Sequence, residues 1–190
     1  MKRTLPKFLF LNLCNHIPLW RTRQEMLVWL FTLIIQTGTG SLWLLAGRVD
    51  TRSKTLSVHS RFECFFQHIC LDEGCVARLV VHIMGLSGKP WHLAIDRTNW
   101  KFGRCHINIL MLTIIHEKVG IPLFWVLLGK AGNSNTKARA DLMPKLNKVF
   151  PNQPIASLSG DREFIGEAWF NWFQNQSIPF VLRLNENLFI

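Results

Sequence analysis

Two aspartates in this chain each follow an apolar run with the pattern of a strand. Asp96 ends the stretch that starts at Trp91, and Asp161 follows the stretch 154–160. Two carboxylates at neighbouring strand ends would form half of a site that holds Mg²⁺ or Mn²⁺ for phosphoryl transfer. Such a pair repels unless a cation neutralises it. The alternative is that both aspartates simply end strands at the solvent edge.

The residues around Asp96 have the pattern of an antiparallel meander. Apolar side chains alternate with others from position 91 to Asp96, which is the period of a strand whose second face ends in the acid. The run 107–115 is nearly all apolar, as in a central strand covered on both faces. After a turn at 117–120, the run 121–128 predicts a third strand with Pro122 at its start.

The residues around Asp161 alternate between helix and strand patterns. Residues 136–150 have helical spacing, with Pro144 limiting or kinking the first part, and residues 154–159 predict a short strand. An amphipathic helix around 165–173 and a last strand at 178–184 follow. The predicted order is therefore β-β-β-α-β-α-β.

This element order resembles an RNase H-like fold, a mixed α/β sheet in which the first strand is central and the fourth pairs with it. The resemblance implies that Asp96 and Asp161 approach each other although they are 65 positions apart. We place this core at residues 89–190. Residues 1–88 are predicted to form a basic, mostly helical region, with a helix or helical pair over 21–45 that breaks near Gly38, an exposed loop over 47–60 and another helix over 61–69.

Four segments carry a resemblance to a known family: 96–103 (DRTNWKFG), 108–112 (NILML), 132–136 (GNSNT) and 161–166 (DREFIG). They resemble bacterial DDE transposases of the insertion-sequence-four type, with the match covering about residues 91–186. The resemblance implies a cut-and-paste DNA transposase in which Asp96 and Asp161 are the first and second catalytic acids and hold two Mg²⁺ ions. It also implies double-stranded transposon ends as substrate, action as a homodimer, and a place in the bacterial cytoplasm at the nucleoid.

Four basic residues are candidates for DNA contact, and ordinary surface charge is the alternative for each. Lys101, Arg104 and Arg162 lie near the two aspartates in sequence. Arg61 belongs to the segment 60–66, which looks like a basic-aromatic segment of the family.

One departure from the family concerns the third catalytic acid. Members carry a Glu within a Tyr-x-x-Arg-x-x-x-Glu pattern, and this sequence contains no Tyr. We therefore expect a truncated copy with impaired catalysis. A non-catalytic DNA-binding fragment is the alternative.

Composition narrows the classes of partner and compartment. The formal net charge is +10, and residues 1–60 hold eight Lys or Arg against two acids, which favours a polyanionic partner. The sequence contains five cysteines without a CxxC pair, which argues against a disulfide framework. The spacing of His68, Cys70 and Cys75 fits no common zinc pattern. We therefore expect the cysteines to be buried, inert thiols. Residues 26–46 carry no charge, but the polar stretch 36–41 interrupts them, so we expect no membrane partner; a small basic single-pass membrane protein is the alternative.

Overall fold

The structure is a computed structural model that describes residues 7–128, 141–161, 164 and 166–183. The chain divides between Leu79 and Val80 into two compact units. Our boundary between residues 88 and 89 stays a prediction. Within the described residues the chain is helical up to Ile83 and then forms a sheet with two further helices, which is the mixed α/β class predicted from the sequence.

The first unit is built from helices. Their bounds are α1 (Lys7–His16), α2 (Arg21–Thr37), α3 (Leu42–Ala46), α4 (Thr55–His68) and the first part of α5 (Glu73–Ile83). One apolar cluster holds them together, and its buried members include Leu13, Leu27, Val28, Leu30, Leu45, Phe62 and Phe65. On α2 and α4 the buried side chains recur every three or four residues, so each of these two helices turns one face toward this core.

The predicted break between α2 and α3 is present. Gly38 has φ 66°, and its N–H donates to the Ile34 carbonyl at 2.8 Å, which ends α2. This left-handed conformation is the usual end of a helix and is open to Gly at little cost. Among the described residues, no helix is long and apolar enough to cross a membrane.

Two expectations for the first unit need correction. The exposed loop expected over 47–60 is shorter, because α4 already begins at Thr55. The Ser and Thr residues at 51–57 favour turns and caps, so the start of α4 could not be recognised from the sequence pattern. The helical pattern over 61–69 predicts that Phe66 shares the apolar side with Phe62 and Phe65. It is instead 57% exposed.

The second unit contains a five-stranded sheet in the order β3-β2-β1-β4-β5. The strands are β1 (Trp91–Phe102), β2 (Cys105–His116), β3 (Val119–Leu128), β4 (Ile155–Gly160) and β5 (Phe180–Leu182). Strands β1, β2 and β3 form an antiparallel meander, whereas β4 runs parallel to β1 and β5 runs parallel to β4. Helices α6 (Leu142–Val149) and α7 (Glu167–Asn175) precede and follow β4. This is the RNase H-like arrangement, with β1 in the centre, and the predicted element order is confirmed.

One face of the sheet forms the core of the second unit. Leu93 and Ile95 of β1 are buried together with their β2 partners Ile114 and Leu112. Helices α6 and α7 cover residues of this face: the ring of Trp91 lies 5.0 Å from Phe150 just after α6, and Phe180 of β5 stacks on Phe173 of α7 at 4.6 Å.

Pro144 lies in the first turn of α6, where a backbone N–H has no helical partner to lose. The predicted strand of Asp96 is longer than expected, because pairing with β2 continues as far as Phe102. Residues 136–140 of the predicted helix and Ile165 lie outside the described residues.

Candidate functional site

The two candidate acids lie at one point of the sheet. The last paired residues of the parallel strands β1 and β4 are Ile95 and Gly160, and the next residue on each strand is Asp96 and Asp161 respectively. Paired strands are about 4.8 Å apart. The topology therefore places two aspartates that are 65 residues apart in the chain at adjacent positions of the sheet.

Alternation along β1 turns Asp96 away from the core. Trp91, Leu93 and Ile95 are each at most 2% exposed, so Asp96 belongs to the opposite face, and it is exposed. Its Oδ1 accepts a hydrogen bond of 2.7 Å from the backbone N–H of Arg97. This bond holds one carboxylate oxygen next to the strand.

The backbone around Asp161 is fixed from two sides. The carbonyl of Gly160 accepts a 3.1 Å hydrogen bond from the N–H of Arg183, which follows β5. The carbonyl of Asp161 accepts one of 2.9 Å from the N–H of Phe164, whose side chain is fully buried. A strand end anchored in this way presents Asp161, which is exposed, at a defined place.

Gly160 is a residue that sequence reasoning did not single out. A Cβ at this position would lie 3.0 Å from Leu182 Cδ2 and 3.1 Å from both Ile95 Cγ2 and a ring carbon of Phe164. Contacts of this length are tighter than nine in ten real Cβ contacts, so these three side chains would have to move by a few tenths of an ångström. The absent side chain therefore lets β4 pack closely against its neighbours one residue before Asp161. A glycine between an apolar strand and an acid is the signal that could have found it.

The donor atoms at this site suit a hard cation. Carboxylate oxygens are the ligands that Mg²⁺ and Mn²⁺ prefer, and protein sites for Mg²⁺ commonly supply only one or two carboxylates and leave the rest to water and phosphate. Asp96 and Asp161 match that partial set. Within the described part of the chain, no group of three or more His, Cys, Asp or Glu side chains is arranged to hold a metal. The two aspartates would thus hold the ion with help from the substrate.

The remaining predicted contacts lie elsewhere. Lys101 is five residues farther along β1 than Asp96, about 17 Å at the usual rise of a strand. Arg104 occupies the two-residue turn between β1 and β2, and Arg61 lies on α4 in the first unit. All three are exposed. Arg162 lies outside the described residues.

The face that carries the acids also carries polar groups of β4. Ser157 Oγ and His92 Nδ1 are 2.9 Å apart across β1 and β4, and Ser159 Oγ donates to the Leu93 carbonyl at 3.1 Å. The signal in the sequence was the alternation of Ser with apolar residues in 155–159. These side chains link the two parallel strands just before the acids.

The expectation of buried cysteines is wrong. Three of the five thiols are exposed, namely those of Cys64, Cys70 and Cys105. The other two, those of Cys14 and Cys75, are half-buried. Arg78 donates to Cys75 Sγ at 3.2 Å, and the Cys75 N–H donates to Asp72 Oδ1 at 2.8 Å. Cys75 therefore takes part in the start of α5 and shows no zinc geometry with His68 and Cys70 among the described residues.

Comparison with known proteins gives similar solved structures but no match by sequence. No protein family and no curated protein matches the sequence. Among solved structures, the chain is similar to the catalytic domain of the Mos1 mariner transposase, with 8% identity and a TM-score of 0.38 over 60% of each chain. It is also similar to a chain of a piggyBac transposase synaptic complex with hairpin DNA, with 12% identity and a TM-score of 0.41 over 98% of this chain and 52% of that one.

A third likeness is to a chain of the simian T-cell lymphotropic virus intasome in complex with the PP2A regulatory subunit B56 gamma. The identity is 11% and the TM-score 0.36, over 82% of this chain and 51% of that chain. The chain thus spans between half and three-fifths of the length of these proteins. At such TM-scores the likeness is loose, and the RNase H-like assignment rests on the strand order and directions of the sheet itself.

Proposed function

We propose that this chain is a DNA transposase-type protein whose candidate site for phosphoryl transfer on DNA is formed by Asp96 and Asp161. The observation that carries the proposal is the parallel pairing of β1 and β4, which ends at Ile95 and Gly160 directly before the two acids. Acids that merely end strands at the solvent edge would have no reason to meet on neighbouring central strands. Convergence of two like charges calls for a bound cation.

The roles of the residues follow from their positions. Asp96 and Asp161 would hold Mg²⁺ or Mn²⁺ at the point where the pairing of β1 with β4 ends. A bound divalent ion would supply activation of a water or a DNA 3′-hydroxyl and stabilisation of the leaving oxygen. The N–H of Arg97 fixes the orientation of the Asp96 carboxylate at 2.7 Å. Gly160 leaves room for the side chains of Leu182, Ile95 and Phe164 directly before Asp161.

The proposal also covers the type of transposase, its DNA substrate, its oligomeric state and the residues that contact DNA. The segments 96–103, 108–112, 132–136 and 161–166 support the bacterial insertion-sequence-four type. Double-stranded transposon ends, action as a homodimer at the nucleoid, and DNA contacts by Arg61, Lys101, Arg104 and Arg162 follow from that type. The net charge of +10 supports a polyanionic partner.

A second candidate function is DNA binding without cleavage. The small number of metal-binding side chains favours this function, because the described residues bring only two acids together and hold no group of three metal-binding side chains. With two anionic ligands, a divalent ion would bind weakly.

The test is nicking of a supercoiled plasmid by the full chain with Mg²⁺ or Mn²⁺. We expect slow metal-dependent nicking, in keeping with the impaired catalysis expected from the sequence, that Asp96→Asn and Asp161→Asn each reduce to the level of a blank, while both variants still bind DNA. The matched control is Asp141→Asn, which neutralises an exposed acid of the same unit and should leave nicking unchanged.

Two other outcomes decide between the functions. Nicking that persists in both site variants would remove Asp96 and Asp161 from the chemistry. DNA binding by the unaltered chain with no nicking under either metal would establish the second candidate.

A further inference from the structure

The hairpin of β1 and β2 extends past the rest of the sheet. Within residues 7–128, 141–161, 164 and 166–183, strand β4 pairs with β1 only as far as Ile95, and β3 pairs with β2 only as far as Asn108. The two strands continue to pair with each other to Phe102 and Cys105. Residues 100–107, here called the distal ribbon, therefore have no neighbouring strand on either edge among the described residues.

The distal ribbon is cationic and open to solvent. The twenty residues between Asp96 and Glu117 contain no acid. Within the ribbon, Lys101 and Arg104 are exposed, and so is His106, which pairs directly opposite Lys101. Paired residues lie on one face of a ribbon, so Lys101 and His106 share a face, and Arg104 lies in the turn at the end of the ribbon.

The opposite face of the ribbon is apolar. Trp100 is 65% exposed and lies opposite the half-buried Ile107. Trp100 is four residues from Asp96, an even spacing that places both on the same face of β1. An exposed tryptophan on the face opposite Lys101, in a strand that carries a candidate catalytic acid, indicates together with the charge of the ribbon a contact surface for nucleic acid.

We infer that the distal ribbon enters the major groove of duplex DNA beside the site of phosphoryl transfer. This inference rests on the proposed function. The major groove is about 12 Å wide and admits a two-stranded ribbon. Lys101 and Arg104 contact phosphates at the groove edges, and Trp100 packs against apolar base edges such as thymine methyl groups.

The length of the ribbon sets where this contact falls. Lys101 lies about 17 Å from Asp96 along β1. Duplex DNA rises about 3.4 Å per base pair, so the phosphates contacted by Lys101 lie about five base pairs from the phosphate held at the two aspartates. The ribbon thereby fixes the position of the duplex relative to Asp96 and Asp161.

The first test compares two double variants of the full chain that carry the same net charge. Lys101→Ala with Arg104→Ala removes the charge of the ribbon, and Lys89→Ala with Lys148→Ala removes two exposed lysines of the same unit outside it. Binding is measured by fluorescence anisotropy with a labelled mixed-sequence duplex over a range of salt concentrations. For the ribbon variant we expect affinity about tenfold weaker than for the control, because charge-assisted contacts are lost. The slope of log K against log salt should be about two units shallower than in the unaltered chain.

The second test addresses Trp100 and the groove. Trp100→Ala should weaken duplex binding without changing the salt slope, whereas Leu127→Ala, which truncates a 68% exposed side chain of β3, should not. Methyl green, which occupies the major groove, should compete with the unaltered chain more strongly than with the Lys101/Arg104 variant. Circular dichroism checks that each variant is folded.

These measurements separate the groove contact from the proposed function. Equal affinity and slope in the ribbon and control variants, tighter binding of unpaired oligothymidine than of duplex, or competition only by the minor-groove ligand distamycin would overturn the ribbon inference. Metal-dependent nicking lost in Asp96→Asn would still support the proposed function in each of those cases. Conversely, ribbon-dependent affinity in a chain that does not nick DNA would support the groove contact and contradict the proposed chemistry.

Discussion

Gly160 lies directly against Ile95: a Cβ on Gly160 would be 3.1 Å from Ile95 Cγ2. The two residues are also the last pair between β4 and β1. The close approach of the strands and the position of the two aspartates therefore depend on the same contact. A side chain at position 160 would crowd Ile95, Leu182 and Phe164 just before Asp161.

We predict that Gly160→Ala destabilises the protein. The new methyl group would also contact Leu182 and Phe164, and extra atoms in a packed region typically cost about 1–3 kcal/mol. The measurement is urea unfolding followed by circular dichroism. Gly40→Ala is the control, because a Cβ there has no atom within 4 Å and the backbone lies outside the left-handed region, so a change within about 0.5 kcal/mol is expected. Equal effects of the two substitutions would contradict the role of Gly160.

We also predict that divalent metal stabilises the fold through the two acids. Mg²⁺ or Mn²⁺ that binds the folded chain raises its melting temperature by mass action. Asp96→Asn should abolish this increase and should itself slightly stabilise the metal-free protein, because one of two neighbouring like charges is removed. Thermal unfolding with and without Mn²⁺ checks both signs, and Asp141→Asn should behave as the unaltered chain. A metal-induced increase that survives in Asp96→Asn would place the metal elsewhere.

A buried hydrogen bond at the start of β1 gives a third prediction. The indole N–H of Trp91 donates to the Leu86 carbonyl at 2.9 Å, and the side chain is 1% exposed. Trp91→Phe leaves this carbonyl without the indole donor and opens space, so we expect a loss of about 1–3 kcal/mol in the free energy of unfolding. Trp20→Phe, at an 86% exposed residue, should cost almost nothing. Chemical denaturation distinguishes the two, and similar losses would show that the bond is unimportant.

The start of α5 makes stability depend on pH. The backbone N–H of Cys75, and less strongly its thiol, donates to Asp72 and holds the pKa of that carboxyl below its ordinary value. A lowered pKa in the folded state means that Asp72 stabilises the fold above its unfolded pKa. This contribution is lost as the pH falls through the folded pKa.

Asp72→Ala should therefore reduce stability near neutral pH, and the difference from the unaltered chain should shrink in acid. Denaturant midpoints measured across the acidic range give this difference directly. Asp50→Ala, at an exposed acid of the same unit, is the control and should show no such trend. A difference that does not vary with pH would exclude the carboxylate of Asp72 as its source.

The order of the elements along the chain was predicted because the strand periods around Asp96 and Asp161 are clear, whereas the central place of β1 beside β4 was implied by the resemblance to an RNase H-like fold. The register between β1 and β4 could not be predicted from the sequence, because parallel pairing between distant segments is decided by packing in the core. The role of Gly160 could not be predicted from the sequence either, because it depends on Leu182 and Phe164, which lie close to Gly160 only in the folded chain.

Local patterns explain the elements that sequence reasoning missed. Helix α1 lies in a stretch where apolar and basic residues follow no firm period, and α4 begins among Ser and Thr residues that favour turns. The distal ribbon was missed because strand period alone does not indicate how far a hairpin continues beyond its neighbours. The sequence pattern therefore assigns no role to Trp100.

The parallel placement of β4 beside β1 also has a kinetic consequence. The meander β1–β3 closes through short turns and can pair early, whereas β4 must return across many intervening residues before it docks. Until it docks, Asp161 has no fixed position relative to Asp96. A divalent ion would then recognise only molecules that have finished folding, and its binding would slow their unfolding more than it speeds their formation.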